Sequence, residues 1–369
     1  QLFGAVKRDI FYAKSRNFST ALGAALDDDN IPVQVFHTLV DQVHQHLPLF
    51  HRYLTLKKRM LGVTSLKYSD LYAPVVGKID LDYTYEEAVE IVLSALSPLG
   101  KEYCEAGEQG FKQNWVDVYP AQGKRSGAYC CDGGYDIHPY MLLNFNKKYQ
   151  DVSTLAHELG HAMHTWFSNR TQPFPLSHYS IFVAEVASTL NEALLKDFLL
   201  SHTADENVRL SILMEYLDTI KGTVFRQTQF AEFEYLIHKK VEEGVSLTGA
   251  LLTDIYGNLL RRYYGHEEKV CLIDDYQSVE WAGIPHFYYN FYVYQYATSF
   301  TASTCLADKL LLQEADAREN IIDFLSAGGS SYPIDILKRS GVDLTGKRAF
   351  TRTMEVMKQT IDEIESIIN

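Results

Sequence analysis

Apolar residues recur every three or four positions through several long stretches of this chain, the repeat that lays one apolar stripe along a helix. Residues 181–200, 205–243, 287–311 and 346–369 carry it with few breakers, and each is predicted to be helical. A further helix is expected after Thr84. Thr84 and Glu87 have the spacing of a capping box, apolar Ala88, Val89, Ile91 and Val92 follow, and Pro98 and Gly100 mark the stop. The stretch 113–146 breaks the repeat. Trp-Val-Asp-Val-Tyr, then Gly123, Gly127 and the pair Gly133-Gly134, then Met141-Leu142-Leu143-Asn144-Phe145 read as two or three short strands joined by turns. Asp27-Asp28-Asp29-Asn30 before Pro32 reads as a solvated turn. The pattern is that of a mainly α protein with one small β-sheet, without internal repeats, low-complexity tracts or an obvious linker.

Composition narrows the function classes. The 369 residues can bury a large core, as one big domain or two smaller ones. A formal net charge of −13 argues against nucleic acid as a partner, which would call for a basic stripe. No apolar run is long enough to cross a membrane, and no secretory signal pattern is visible. The five cysteines, Cys104, Cys130, Cys131, Cys271 and Cys305, are odd in number and form no C-x-x-C pair, so a reducing, cytoplasmic setting is expected. The 25 tyrosines suit the walls of a wet cavity, although half-buried packing accounts for most of them.

The sheet region is followed by His157-Glu158-Leu159-Gly160-His161, an H-E-x-x-H motif. Histidines four apart on a helix share a face and can reach one ion, and the glutamate between them can polarise a metal-bound water without binding the metal. Asp151 or Ser153 is expected to cap this helix. Val152, Leu155, Leu159, Ala162, Met163 and Trp166 give it apolar flanks, and Asn169 is a reasonable stop. The bland alternative is a helix with two packed or exposed histidines. A catalytic zinc takes three protein ligands and keeps one open position. His164 stands about 10 Å along the axis from His157, too far to share the ion. His164 and Phe167 also occupy the positions where a metzincin needs Gly and His. His178, in the next loop, stays open as a ligand. Glu185 and Glu192 lie seven apart on one face of the following predicted helix. An antiparallel return would bring one to the ion and let the other hold a histidine N–H, and we assign Glu185 as ligand and Glu192 as support.

Residues 283–296 read Gly-Ile-Pro-His-Phe-Tyr-Tyr-Asn-Phe-Tyr-Val-Tyr-Gln-Tyr, a loop predicted to open a helix dense in phenols. His286, Tyr289 and Tyr292 are spaced by three and would share a face, offering donors for the oxyanion of a hydrolysed carbonyl. Aromatic core packing is the competing explanation.

Several stretches resemble oligoendopeptidase F and, more distantly, the thimet oligopeptidase and neurolysin family of zinc peptidases. They are Gly123 to Tyr129, His138 to Phe145, the motif extended as HELGHAMH to His164, His178 to Thr189, and Ile284 to Phe300, within a likeness that runs from about Tyr83 to the C-terminus. The resemblance implies a helical, clam-like zincin that hydrolyses short unfolded oligopeptides with one zinc per chain. It implies Glu185 as third ligand, Glu158 as general base and acid, and His286 with late tyrosines on the scissile carbonyl. Tyr289 and Tyr292 are our choice, with Tyr288 and Tyr294 in reserve. It further implies that a strand at Gly127, Ala128 and Tyr129 pairs with the substrate backbone. On this reading residues 1–82 are a helical N-terminal region, the remnant of a larger lobe, and residues 83–369 form the catalytic domain. Two rivals remain: a zinc-retaining but inactive peptide-binding module, and a helical scaffold without metal.

Overall fold

The computed structural model describes residues 1–75 and 82–369. Residues 76–81, part of the expected N-terminal region, lie outside the described residues. Two compact units emerge. One joins Gln1–Gly77, Leu213–Thr298 and Leu344–Asn369, and the other joins Lys78–Ile212 with Ser299–Asp343.

The first unit is helical. Its helices include Leu2–Ser15, Val33–Gln45, Leu47–Leu61, Arg226–Glu242, Gly249–Tyr263 and Arg348–Ile368. Their apolar faces meet in an aromatic core where Phe50 stacks on Phe225 at 4.4 Å between ring centroids. Buried tyrosines in this core keep their hydroxyls bonded. Tyr53 donates to Asp218 and Tyr263 to Glu232. Packing, rather than a wet cavity, therefore explains these rings. The expected 205–243 segment is helical from Glu206 to Glu242, with a π-type turn at Lys221–Phe225.

The expected helix over 287–311 is a correction. Helix begins only at Tyr294, after a 3₁₀ turn at Pro285–Tyr288. Asn290 and Phe291 adopt left-handed backbone, φ 47° and 59°, which no helix tolerates. His286, Tyr289 and Tyr292 thus sit on a loop rather than on one helical face.

The second unit holds the sheet. β1 (Val116–Asp117), β2 (Tyr129–Cys131) and β3 (Tyr140–Leu142) are ordered β1-β3-β2, with β1 parallel and β2 antiparallel to β3. β2 is therefore an edge strand among the described residues. Thr84 caps the helix Tyr85–Ala95 with the expected box, its hydroxyl accepting from Glu87 N–H while the Glu87 carboxylate accepts from Thr84 N–H.

Candidate metal centre

The motif helix runs over Tyr149–Thr171. It starts before Ser153 because the Asp151 carboxylate reaches back to accept the N–H groups of Asn146 and Lys148, at 2.9 and 2.8 Å. It also passes Asn169 by two residues. Val152, Leu155, Leu159 and Met163 are buried on its inner face. Burying each such side chain contributes roughly 1.5–3 kcal/mol.

The return helix, Ile181–His202, is capped by Ser180, whose hydroxyl accepts from Phe182 N–H. It packs antiparallel on the motif helix. A Cβ at Gly160 would lie 2.6 Å from both Ala187 O and Ser188 Cα, so only glycine permits this approach. Asn191 then donates to Ala156 O at 3.0 Å and receives the buried Tyr103 hydroxyl at 2.9 Å, fixing the register of the pair.

That register brings three donors together. His157 Nε2 and His161 Nε2 are 3.2 Å apart, and Glu185 Oε2 lies 3.4 Å from the first and 3.5 Å from the second. Three ligands on a tetrahedral zinc, at about 2.0–2.2 Å each, stand about 3.3–3.6 Å from one another, so the residues present fit that ion. Glu192 Oε1 accepts the His157 Nδ1 proton at 2.5 Å, which leaves the Nε2 lone pair facing the triangle. Ser188 donates to Glu185 Oε2 at 2.9 Å and steadies the third arm.

Electrostatics agree with a cation site. Burial works against a charged His157 ring. The hydrogen bond to Glu192 and the charges of Glu192, Glu185 and Glu158 outweigh it and raise its pKa to about 9. Burial would raise the Glu185 carboxyl, but the hydrogen bond and charge of His161, then His157 and Ser188, pull it down to about 2. Glu158 is 5% exposed, and its Oε2 has no hydrogen-bond partner among the described residues. Burial pushes its pKa up, the condition of a carboxylate ready to take a proton.

The other expected residues have distinct places. His178 lies outside the three-donor group, with its Nδ1 3.8 Å from Asp132 Oδ2. His164 is buried and stacks on Tyr179 at 3.6 Å, and burial lowers its pKa to about 3, so it packs as a neutral ring. Ala128 and Tyr129 line a cleft of about 690 Å³ together with His157, Glu158, His161 and Glu185. The expected strand is shifted. It covers Tyr129–Cys131, and Gly127 and Ala128 lead into it, with Gly127 O held by the Asn144 amide at 2.7 Å. In the other unit, the His286 ring lies 5.8 Å from Tyr289 and 6.0 Å from Tyr292, so the three rings cluster despite the loop.

Sequence reasoning missed the clamps: Gly160, Ser188, Asn191 and Tyr103. Gly160 carried a signal, since glycine inside a helix costs about 1 kcal/mol and points to a close approach. Tyr103 carried none, because its partner lies 88 residues away.

The family model for peptidase family M3 matches residues 4–356, so the likeness starts well before Tyr83. The chain is 45% identical over 367 residues to Oligopeptidase PepF of Bacillus subtilis (strain 168), covering 100% of this chain and 54% of that protein. It is 40% identical over 363 residues to Group B oligopeptidase PepB of Streptococcus agalactiae serotype III (strain NEM316), covering 98% of this chain and 60% of that one. The crystal structure of oligoendopeptidase-F from Enterococcus faecium superposes with a TM-score of 0.77 at 40% identity, covering 98% of this chain and 58% of that chain. The chain thus spans somewhat over half the length of these relatives. A match across nearly all of its residues, with the H-E-x-x-H helix at its centre, makes this chain a member of peptidase family M3.

Proposed function

We propose that this chain is a zinc-dependent endopeptidase acting on short unfolded oligopeptides. The observation that carries the reading is the triangle of His157, His161 and Glu185 donors beside Glu158, whose Oε2 has no hydrogen-bond partner among the described residues. Zinc held by the three donors would supply Lewis acidity, polarising the scissile carbonyl and making water acidic near neutral pH. Glu158 takes the proton of the attacking water and delivers it to the leaving amine. Glu192 keeps His157 in its ligating tautomer. The open edge of β2, entered through Gly127, Ala128 and Tyr129, receives an extended peptide backbone. His286, Tyr289 and Tyr292 supply donors to the carbonyl oxygen as it gains charge.

We assign the catalytic role to residues 83–369 and the setting to a reducing compartment, which the odd number and wide spacing of the five cysteines support. No described helix is long and apolar enough to cross a membrane. The test is hydrolysis of an internally quenched short peptide, with and without a chelator, alongside elemental analysis. About one zinc per chain and chelator-sensitive cleavage are expected. Zinc retention and peptide binding without cleavage would replace this reading with that of an inactive binding module.

A further inference from the structure

The loop carrying His286, Tyr289 and Tyr292 is held in a conformation that its own sequence disfavours. Asn290 and Phe291 are both left-handed, and although asparagine tolerates that region, a bulky phenylalanine rarely adopts it. Something outside the loop must impose that backbone. Phe287 and Phe291 plug into the core, Phe287 against Phe230 and Phe233, and Phe291 against Phe36 and His238. Apolar plugs fix depth but not the direction of a peptide plane. Two polar contacts do that. Arg8 donates to Tyr288 O at 3.3 Å at the loop's exposed side. Inside, Phe291 N–H donates to Glu234 Oε1 at 2.6 Å.

Glu234 is fully buried, and its second carboxylate oxygen has no hydrogen-bond partner among the described residues. Two titratable groups face it: the His238 imidazole favours its charged form and the Asp9 carboxylate opposes it. His238, one turn on, uses Nδ1 on the Glu234 backbone carbonyl, and its Nε2 faces Asp9 at 3.5 Å. Among the described residues the Glu234 carboxyl accepts one hydrogen bond, from the amide of Phe291, which lies between Tyr289 and Tyr292 in the chain.

We infer that Glu234 is a positioning residue: its carboxyl fixes the Asn290–Phe291 backbone and thereby aims His286, Tyr289 and Tyr292. The inference rests on the proposed role of those three rings. It goes beyond that role by assigning their geometry to a buried acceptor 52 residues earlier in the chain than the first of them. Removing the acceptor frees the peptide plane while the Phe plugs stay seated. The rings are then mis-aimed rather than lost, which lowers turnover more than substrate affinity. Misplacements of about 1 Å cost on the order of 10²-fold in rate.

The experiment compares Glu234→Ala, Glu234→Asp and Glu234→Gln in the zinc-loaded chain, using quenched-peptide kinetics and hydrogen exchange at the Phe291 amide. E234A is expected to lower kcat by about 10- to 100-fold with KM within about threefold, and to accelerate exchange at Phe291. E234Q keeps an oxygen acceptor and should restore both. E234D, one methylene short of the amide, should resemble E234A and carries the test if E234A fails to fold. Wild-type kcat in E234A and E234D, with H286A, Y289F and Y292F all slow, overturns the positioning role of Glu234. Fast exchange in E234A with wild-type kcat in it and in all three ring variants instead overturns the catalytic reading of the rings.

Discussion

The motif helix with its return partner and the loop over 285–293 illustrate two ways of arranging polar side chains. In the helix pair, regular backbone does the work. A spacing of four puts His157 and His161 on one face, and the adjacent helix needs only a close approach at Gly160 to present Glu185. In the loop, Asn290 and Phe291 leave every repeating conformation, and the three polar rings gather through irregular turns held from elsewhere. The first arrangement repeats a local rule, whereas the second depends on distant contacts. The helix pair should therefore fail at atoms of its own two helices, and the loop should fail also at residues remote from it in sequence.

The largest effect expected from breaking the first region is at Glu158. Glu158→Gln should keep about one zinc per chain by elemental analysis and lose about 10²–10⁴-fold in kcat, the range for a missing general base. Near-wild-type turnover in a zinc-loaded variant would remove Glu158 from the chemistry. Next come the loop phenols. Tyr289→Phe and Tyr292→Phe should each lower kcat by up to about 10²–10³-fold if the hydroxyl meets the oxyanion, with KM little changed. Steady-state kinetics on a short peptide would show this, and a rate loss in neither would return both rings to simple packing.

Smaller effects sharpen the contrast. Glu192→Gln should weaken zinc binding about 10–100-fold, read by competition with a chelating dye, because His157 loses the partner that fixes its tautomer. Gly160→Ala forces a methyl to within 2.6 Å of backbone atoms and should cost about 1–3 kcal/mol in denaturant unfolding, together with zinc affinity. Unchanged stability would mean that the helices can part without consequence.

The smallest effect is a pH slope. Burial raises the Glu234 carboxyl from 4.5 to about 7. The folded chain then binds this proton more tightly than the unfolded one. The contribution to stability is full below pH 4.5 and is lost as pH rises through about 7. Glu234→Gln should flatten that part of the stability profile, measured by urea unfolding between pH 5 and 8. An unaltered slope would show that the carboxyl titrates normally.

Much of the helix pair was legible because its signals are short. The H-E-x-x-H spacing and the two glutamates seven apart need only helix periodicity to be read. The loop was misread for the same reason. Phe287 and Phe291, four apart, look periodic, but the backbone between them is held in its bend by Glu234 and the aromatic core. Asn191 and Tyr103 were invisible because a buried amide and a phenol 88 residues apart have no pattern until the chain is folded.

The sequence by itself determined the mainly helical class, the small sheet ahead of the motif, and a face bearing two imidazoles, because backbone periodicity is set by neighbours a few residues apart. Only the tertiary structure decided which carboxylate completes the triangle and which supports His157. It also decided that the late tyrosines stand on a strained loop. Those outcomes depend on distances between segments remote in sequence, which are fixed when helices pack within a few ångströms and buried polar atoms find their partners.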